Sequence, residues 1–387
     1  MATEPDERRA ALPRLWTFVL EHLLLLPLGA AIALVWVNLF PESYYSSTYA
    51  LTFAVNDVAM VFFFALMTKE VVEATAPGGV LHPWRRALPP LFAAAGVSVV
   101  SALLHLRLVD ALDEPALEVV WPVALGTDVA VSYVVARMIF RRHAVIAFVI
   151  LLAIASDALG FLAIAVFQPA PELHLGQSGL LMAVALAVAV ALRRARVKSF
   201  WPYMIVAGGV SWYALYAGGF HPALALVPIV PFLPHAARDP GFFVDASPEA
   251  KDALSRFEIV WRYPAQIALF FFGLVNAGVS LQALEQGTWG LPLAMIVGRP
   301  IGIVLGAGVA LVGGLHLPQH VGWRELVVVG FTVAIGFTVG LFFGAALLPP
   351  GQLRAETSMG VLMTLAGAPL AIGAARLLRV GRFAVQK

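Results

Sequence analysis

VIAFVILLAIASDALGFLAIAV, residues 145–166, is long enough to cross a bilayer as one helix, and no basic residue lies within it. Near its middle sits Asp157. A carboxylate at that depth costs roughly 2.5–3.5 kcal/mol on insertion scales, so it needs a function or a partner. Two more acidic residues share this setting, Asp57 within Val55–Met67 and Asp128 within Val123–Val135. One such residue reads as polar glue between helices. Three in one chain point to a cation or proton pathway.

The whole chain has the composition that such a stretch implies. Its 387 residues are 60% hydrophobic and 12% charged, with mean hydropathy +0.87. Soluble chains are typically about 45–50% apolar and about 25% charged, so the fold class is an all-α polytopic membrane protein. There is no cysteine, which excludes disulfides, thiolate metal sites and cysteine nucleophiles. Met1–Arg14 is charged and no small-residue cleavage site follows it, so the first apolar segment is expected to remain as a helix.

Apolar runs of membrane length predict about twelve helices. They span 15–40, 50–73, 87–109, 118–139, 143–167, 175–193, 200–217, 221–236, 257–283, 289–314, 325–348 and 356–379. Of the 25 Lys and Arg, twenty then fall on one side of the bilayer, and only Arg107 and Arg354 on the other. Lys69, Arg262 and Arg299 fall within or at the ends of helices. The alternation explains the pI near 9.0 as a topology signal and argues against nucleic acid as a partner. It places both termini in the cytoplasm. Residues 1–387 read as one transmembrane unit, with cytoplasmic segments at 1–14, 237–256 and 380–387.

Two of the runs are interrupted. The fourth carries Pro122 and Gly126-Thr127-Asp128, and the eleventh carries Gly330 and Gly336-Phe337-Thr338-Val339-Gly340. Paired interruptions of this kind in the two halves of a chain point to broken helices around a midplane site. Glycine is also common in ordinary packed membrane helices.

Several stretches, in order, carry a resemblance. They are Val55-Asn56-Asp57 with Phe62-Phe63 and Glu70; Trp121-Pro122 with Thr127-Asp128-Val129-Ala130; and Ala153-Ile154-Ala155-Ser156-Asp157-Ala158-Leu159-Gly160. Further along come Gly219-Phe220-His221-Pro222-Ala223-Leu224-Ala225, Asn276-Ala277-Gly278-Val279-Ser280-Leu281, Gly298-Arg299-Pro300-Ile301-Gly302 and Gly336-Phe337-Thr338. The chain resembles the NhaA-type Na+/H+ antiporters over nearly its whole length. The resemblance implies an inverted-topology repeat, helices three to five mirrored by ten to twelve, with two broken helices crossing at the midplane. It implies a bacterial inner membrane protein that is not an enzyme and needs no cofactor. Its substrates would be Na+ or Li+ and protons, exchanged for pH and sodium homeostasis, in the lipid bilayer.

The same resemblance assigns roles. Asp128 would balance the positive ends of the broken helices and Arg299 the negative ends. Asp157 would be the exchange group and the carboxylate ligand of Na+, with Thr127, Ser156 or freed carbonyls as neutral oxygens, the donors a hard cation prefers. Burial favours the protonated form of a carboxylate in general and a bound cation favours the ionised form, so one group can alternate between the two cargoes. Asp57 would either support the core or touch the ion in transit.

Departures from the family pattern matter as much. Ser156 and Arg299 stand where members generally carry an aspartate and a lysine. One acidic proton carrier is gone, and a guanidinium does not deprotonate in a protein. Electroneutral exchange of one proton per Na+ is expected, with Ser156 as a neutral ligand or a packing hydroxyl. For a pH response the candidates are Glu70, Glu258 and His221. Val72, Glu73, Ile259 and Arg262 fall where the family has basic residues or histidines, so a shifted or shallow pH profile is expected. Lys69 is expected to snorkel to the cytoplasmic interface or to pair with Glu70 or Glu73. The connector Pro41–Thr48 is too short for the hairpin through which family dimers assemble, so a homodimer would need other surfaces. The alternative reading is a member that has lost transport and acts as an ion-responsive sensor or partner subunit. An intramembrane aspartyl protease would leave Arg299 and the Thr127-Asp128 pair unexplained. A passive channel would need a continuous hydrated path instead of one deep carboxylate.

Overall fold

Backbone placed in hydrocarbon must satisfy its own N–H and C=O groups, so apolar runs of this length close into helices. The computed structural model describes residues 25–77, 82, 84–141, 145–167, 175–235, 252–318 and 321–384, and every regular element among them is helical. The segment 1–14, the start of the first expected span, most of the 237–256 loop and the last three residues lie outside the described residues.

Helix α1 is Leu25–Leu39. Helix α2 runs as Pro41–Phe53, a π turn at Ala54–Ala59, and Met60–Thr75. Helix α3 is Leu88–Ala111, and a 3-10 segment, Pro115–Leu125, leads into α4, Val129–Phe140. Then come α5, Val145–Phe167, and α6, Leu175–Arg194, followed by a π turn at Tyr203–Gly208 that opens α7, Gly209–Ala217. Asp252 caps α8, Ala253–Asn276, by accepting from Ser255 N at 2.9 Å. Helix α9 is Gly290–Val312, α10 Trp323–Thr332, α11 Phe337–Leu347, α12 Gln352–Met363 and α13 Gly367–Leu377.

Among the described residues, six helices are long and apolar enough to cross a membrane, or eight if each bent pair is one span. This is a multi-pass membrane protein. Two expected segments take other forms. The described part of the run 221–236, residues 221–235, holds short 3-10 helices at Pro222–Leu224 and Val230–Phe232, because Pro228, Pro231 and Pro234 each lack the N–H that a continuing α-helix needs. The connector Pro41–Thr48 is the first two turns of α2, with Pro41 in the helix's first turn, where a missing N–H costs nothing.

Small residues set the closest packing. Helix α9 turns Gly298, Gly302 and Gly306 onto α3, and a Cβ at Gly302 would lie 2.6 Å from the Gly96 carbonyl oxygen. Its other face, Val297, Ile301, Leu305 and Val309, is exposed, as a lipid-facing stripe should be. At the centre, Phe64 of α2, Phe161 of α5 and Phe342 and Phe343 of α11 meet edge to face, with centroids 4.8 Å apart for Phe161–Phe343 and 5.3 Å for Phe64–Phe342. This cluster fixes α11 against α2 and α5, beside the breaks.

A candidate ion site at two broken helices

Both interruptions seen in the sequence are breaks in the structure. The 3-10 segment and α4 meet at 57° across Gly126-Thr127-Asp128, and α10 and α11 meet at 51° across Val333–Gly336. Each break leaves carbonyls at one helix end and N–H groups at the other without helical partners, and the dipoles concentrate negative and positive partial charge there. The breaks also touch: Asp128 N donates to Ile335 O at 2.6 Å.

Asp128 caps both positive ends. Its carboxylate accepts from Val131 N at 2.7 Å on α4, and from Thr338 N at 3.1 Å and Thr338 Oγ1 at 2.5 Å on α11. An N-cap aspartate normally serves one helix, and here it serves two.

Arg299 enters from α9 and is fully buried. Its Nη2 donates to Ala124 O at 2.9 Å and Gly126 O at 2.5 Å, at the carbonyl end of the 3-10 segment. Nη1 donates to Thr127 Oγ1 at 2.7 Å and to Val333 O, at the carbonyl end of α10. The planar fork of arginine reaches four oxygens from two helices at once, which an ammonium with three donors could not match. It makes no ion pair with Asp157 or Asp128.

Asp157 lies on α5 against the first break, accepting from Thr127 N at 2.6 Å. Thr127 therefore presents its amide to Asp157 and its hydroxyl to Arg299. Ser156 Oγ donates to Leu125 O at 2.8 Å and lies 3.4 Å from Ser98 Oγ. The carbonyls of Ala124, Leu125 and Gly126 are thus all engaged by Arg299 or Ser156. Thr338 was quoted in the sequence as part of the second interruption but given no role, and Ser98 was not singled out. Thr338 was within reach, two positions past Gly336 in the second break; Ser98 carries no local signal.

Other expected residues form separate groups. Asp57 sits in the π turn of α2, its Oδ1 3.8 Å from His221 Nδ1, and its backbone carbonyl accepts from Trp212 Nε1 at 2.8 Å. Glu70 and Glu258 come together around Lys69, whose Nζ is 3.2 Å from Glu70 Oε1, 2.7 Å from Glu73 Oε2 and 2.8 Å from Glu258 Oε2. Lys69 is buried, so the snorkelling expectation fails and the pairing expectation holds, with Glu258 added from α8. Asn56 and Asn276 exchange amide hydrogen bonds at 3.1 and 2.8 Å, and Arg354 Nη2 donates to Asn276 Oδ1 at 3.2 Å.

Two broken helices crossing inside a multi-pass bundle, with a carboxylate and a guanidinium on their facing ends, define the fold of a secondary transporter. The pattern of the family described as Na+/H+ antiporter 1 matches residues 22–376. A Na+/H+ antiporter NhaA of Desulfitobacterium hafniense (strain DSM 10664 / DCB-2) is 39% identical over 94% of this chain and 96% of its own length. One of Geotalea uraniireducens is 38% identical over 91% and 94%. Among solved structures, the sodium proton antiporter MjNhaP1 from Methanocaldococcus jannaschii superposes with a TM-score of 0.62, at 17% identity, over 94% of this chain and 92% of that one. That likeness speaks for the fold. The chain belongs to the Na+/H+ antiporter 1 family.

Proposed function

We propose that this protein is a Na+/H+ antiporter that exchanges cytoplasmic Na+ or Li+ for external protons through alternate occupancy of Asp157. The observation that carries the reading is the placement of Asp157 against Thr127 at the crossing, where Asp128 and Arg299 already balance the four helix ends. With those ends neutralised, the charge of Asp157 is left over for a proton or a cation. A cation there would take oxygens from Asp157, Thr127 and the broken backbone. Those neutral oxygens now face Arg299, so loading involves their sharing or release by the guanidinium.

Ser156 holds a carbonyl and Arg299 keeps its charge, so a single carboxylate exchanges, one H+ per Na+, without net charge movement. Twelve passes, both termini in the cytoplasm, residence in a bacterial inner membrane and any homodimer belong to the same reading. Charge alternation along the chain supports the orientation, and family membership supports the rest. Glu70 and Glu258 at Lys69, and His221 at Asp57, are the groups from which a pH response would arise.

The test is the Na+-gradient-driven pH change inside proteoliposomes, with and without a K+/valinomycin clamp. Equal rates in both, lost in Asp157→Asn, are expected. A rate that rises on clamping would defeat electroneutrality, and Na+ binding with no flux at all would favour the sensor reading.

A further inference from the structure

At the end of α2 far from Lys69 lies a cavity of about 530 Å3 whose lining includes none of Asp157, Thr127, Asp128 and Arg299. Tyr45, Thr48 and Tyr49 of α2, Asn276 of α8, and Arg354 and Ser358 of α12 line it. The half-buried Arg354 guanidinium uses Nη2 on Asn276 Oδ1 at 3.2 Å. Among the described residues no carboxylate lies within 4.0 Å of it, and Glu285 Oε1 is taken by Gln352 Nε2 at 2.8 Å. The cavity therefore presents a positive fork with no carboxylate counter-charge in contact among the described residues.

Its depth is marked by aromatic side chains. Tyr45, Tyr49 and Phe53 follow one another at helical spacing on α2 and are 53%, 81% and 52% exposed. Exposed tyrosines in a membrane helix mark the level of the lipid headgroups. A planar guanidinium at that level matches phosphate oxygens in pairs.

We infer that this cavity binds the phosphate of an anionic phospholipid headgroup, with Arg354 as the charged contact. Tyr49 and Ser358 line the same space, so that their hydroxyls can donate to the remaining phosphate oxygens, while Val275 and Val279 offer an apolar wall to the glycerol. A lipid held there ties α12 to α2 and α8 alongside the Arg354–Asn276–Asn56 chain, so it stabilises the fold by mass action. None of this depends on ion exchange, and the readout can be thermal.

The experiment is the melting temperature of the detergent-purified protein with added phosphatidylglycerol, phosphatidylcholine or inorganic phosphate. Phosphatidylglycerol is expected to raise it by several degrees more than phosphatidylcholine. Arg354→Gln should abolish the difference and Arg354→Lys should keep part of it. Should Arg354→Gln fail to fold, Tyr49→Glu places a negative charge at the exposed mouth and should weaken the shift without touching the core. Equal shifts in the parent and these variants would overturn the assignment. So would equal shifts from the two lipids, or a full shift from inorganic phosphate alone, which would make this a small-anion site.

Discussion

At Thr127 one residue faces two charges, its amide bound to Asp157 and its hydroxyl bound to Arg299. Thr127→Val removes only the hydroxyl. It is expected to raise the KM for Na+ about tenfold, which is about 1.4 kcal/mol, with the maximal rate little changed; Na+-dependent rates in vesicles would check it. Arg299 bonds to four oxygens and Ser156 to one carbonyl, so Arg299→Met should lower the melting temperature well beyond Ser156→Ala. The double change Ser156→Asp with Arg299→Lys restores a second acid and a titratable amine. It should make transport electrogenic, seen as a rate that responds to clamping; a double variant indistinguishable from the parent would defeat the two-residue account.

Among the elements, the α3–α9 crossing rests on missing side chains. Gly302→Leu would drive carbon into the backbone of Gly96 and should abolish stable expression, whereas Gly308→Leu, with only a Trp323 ring carbon at 3.9 Å, should be tolerated. Size-exclusion profiles of the two variants separate these outcomes. The breaks were legible in the sequence because Pro122, Gly126 and Gly336 interrupt otherwise continuous apolar runs. The 221–236 segment reads differently in sequence because hydropathy counts apolar residues and ignores the hydrogen bonds that Pro228, Pro231 and Pro234 remove. The Pro41–Thr48 turns were misread because Ser, Thr and Tyr resemble a loop until Pro41 is recognised as a helix start.

For the molecule as a whole, charge among the described residues gathers in separate groups that include the crossing, the Lys69 cluster, the Asp57–His221 contact and the Arg354 cavity. The Lys69–Glu73 pair was readable from its i,i+4 spacing, but Glu258 joins from α8, and no local rule joins residues so far apart in sequence. Lys69→Met would leave three carboxylates without their ammonium and should cost about 3–5 kcal/mol, as removing one partner of a buried pair does; urea or thermal unfolding in detergent would measure it. Ile259 and Arg262 follow Glu258 where the resemblance implies histidines, so we propose a rate that varies gently between about pH 6.5 and 8.5. A steep activation across that range would count against it. The competition of two cargoes for Asp157 is tested most directly by counting protons released when Na+ is added to the purified protein in unbuffered solution. One proton per Na+ bound, and none in Asp157→Asn, is the result expected. Na+ binding with no proton release, or with two protons, would contradict exchange at a single carboxylate.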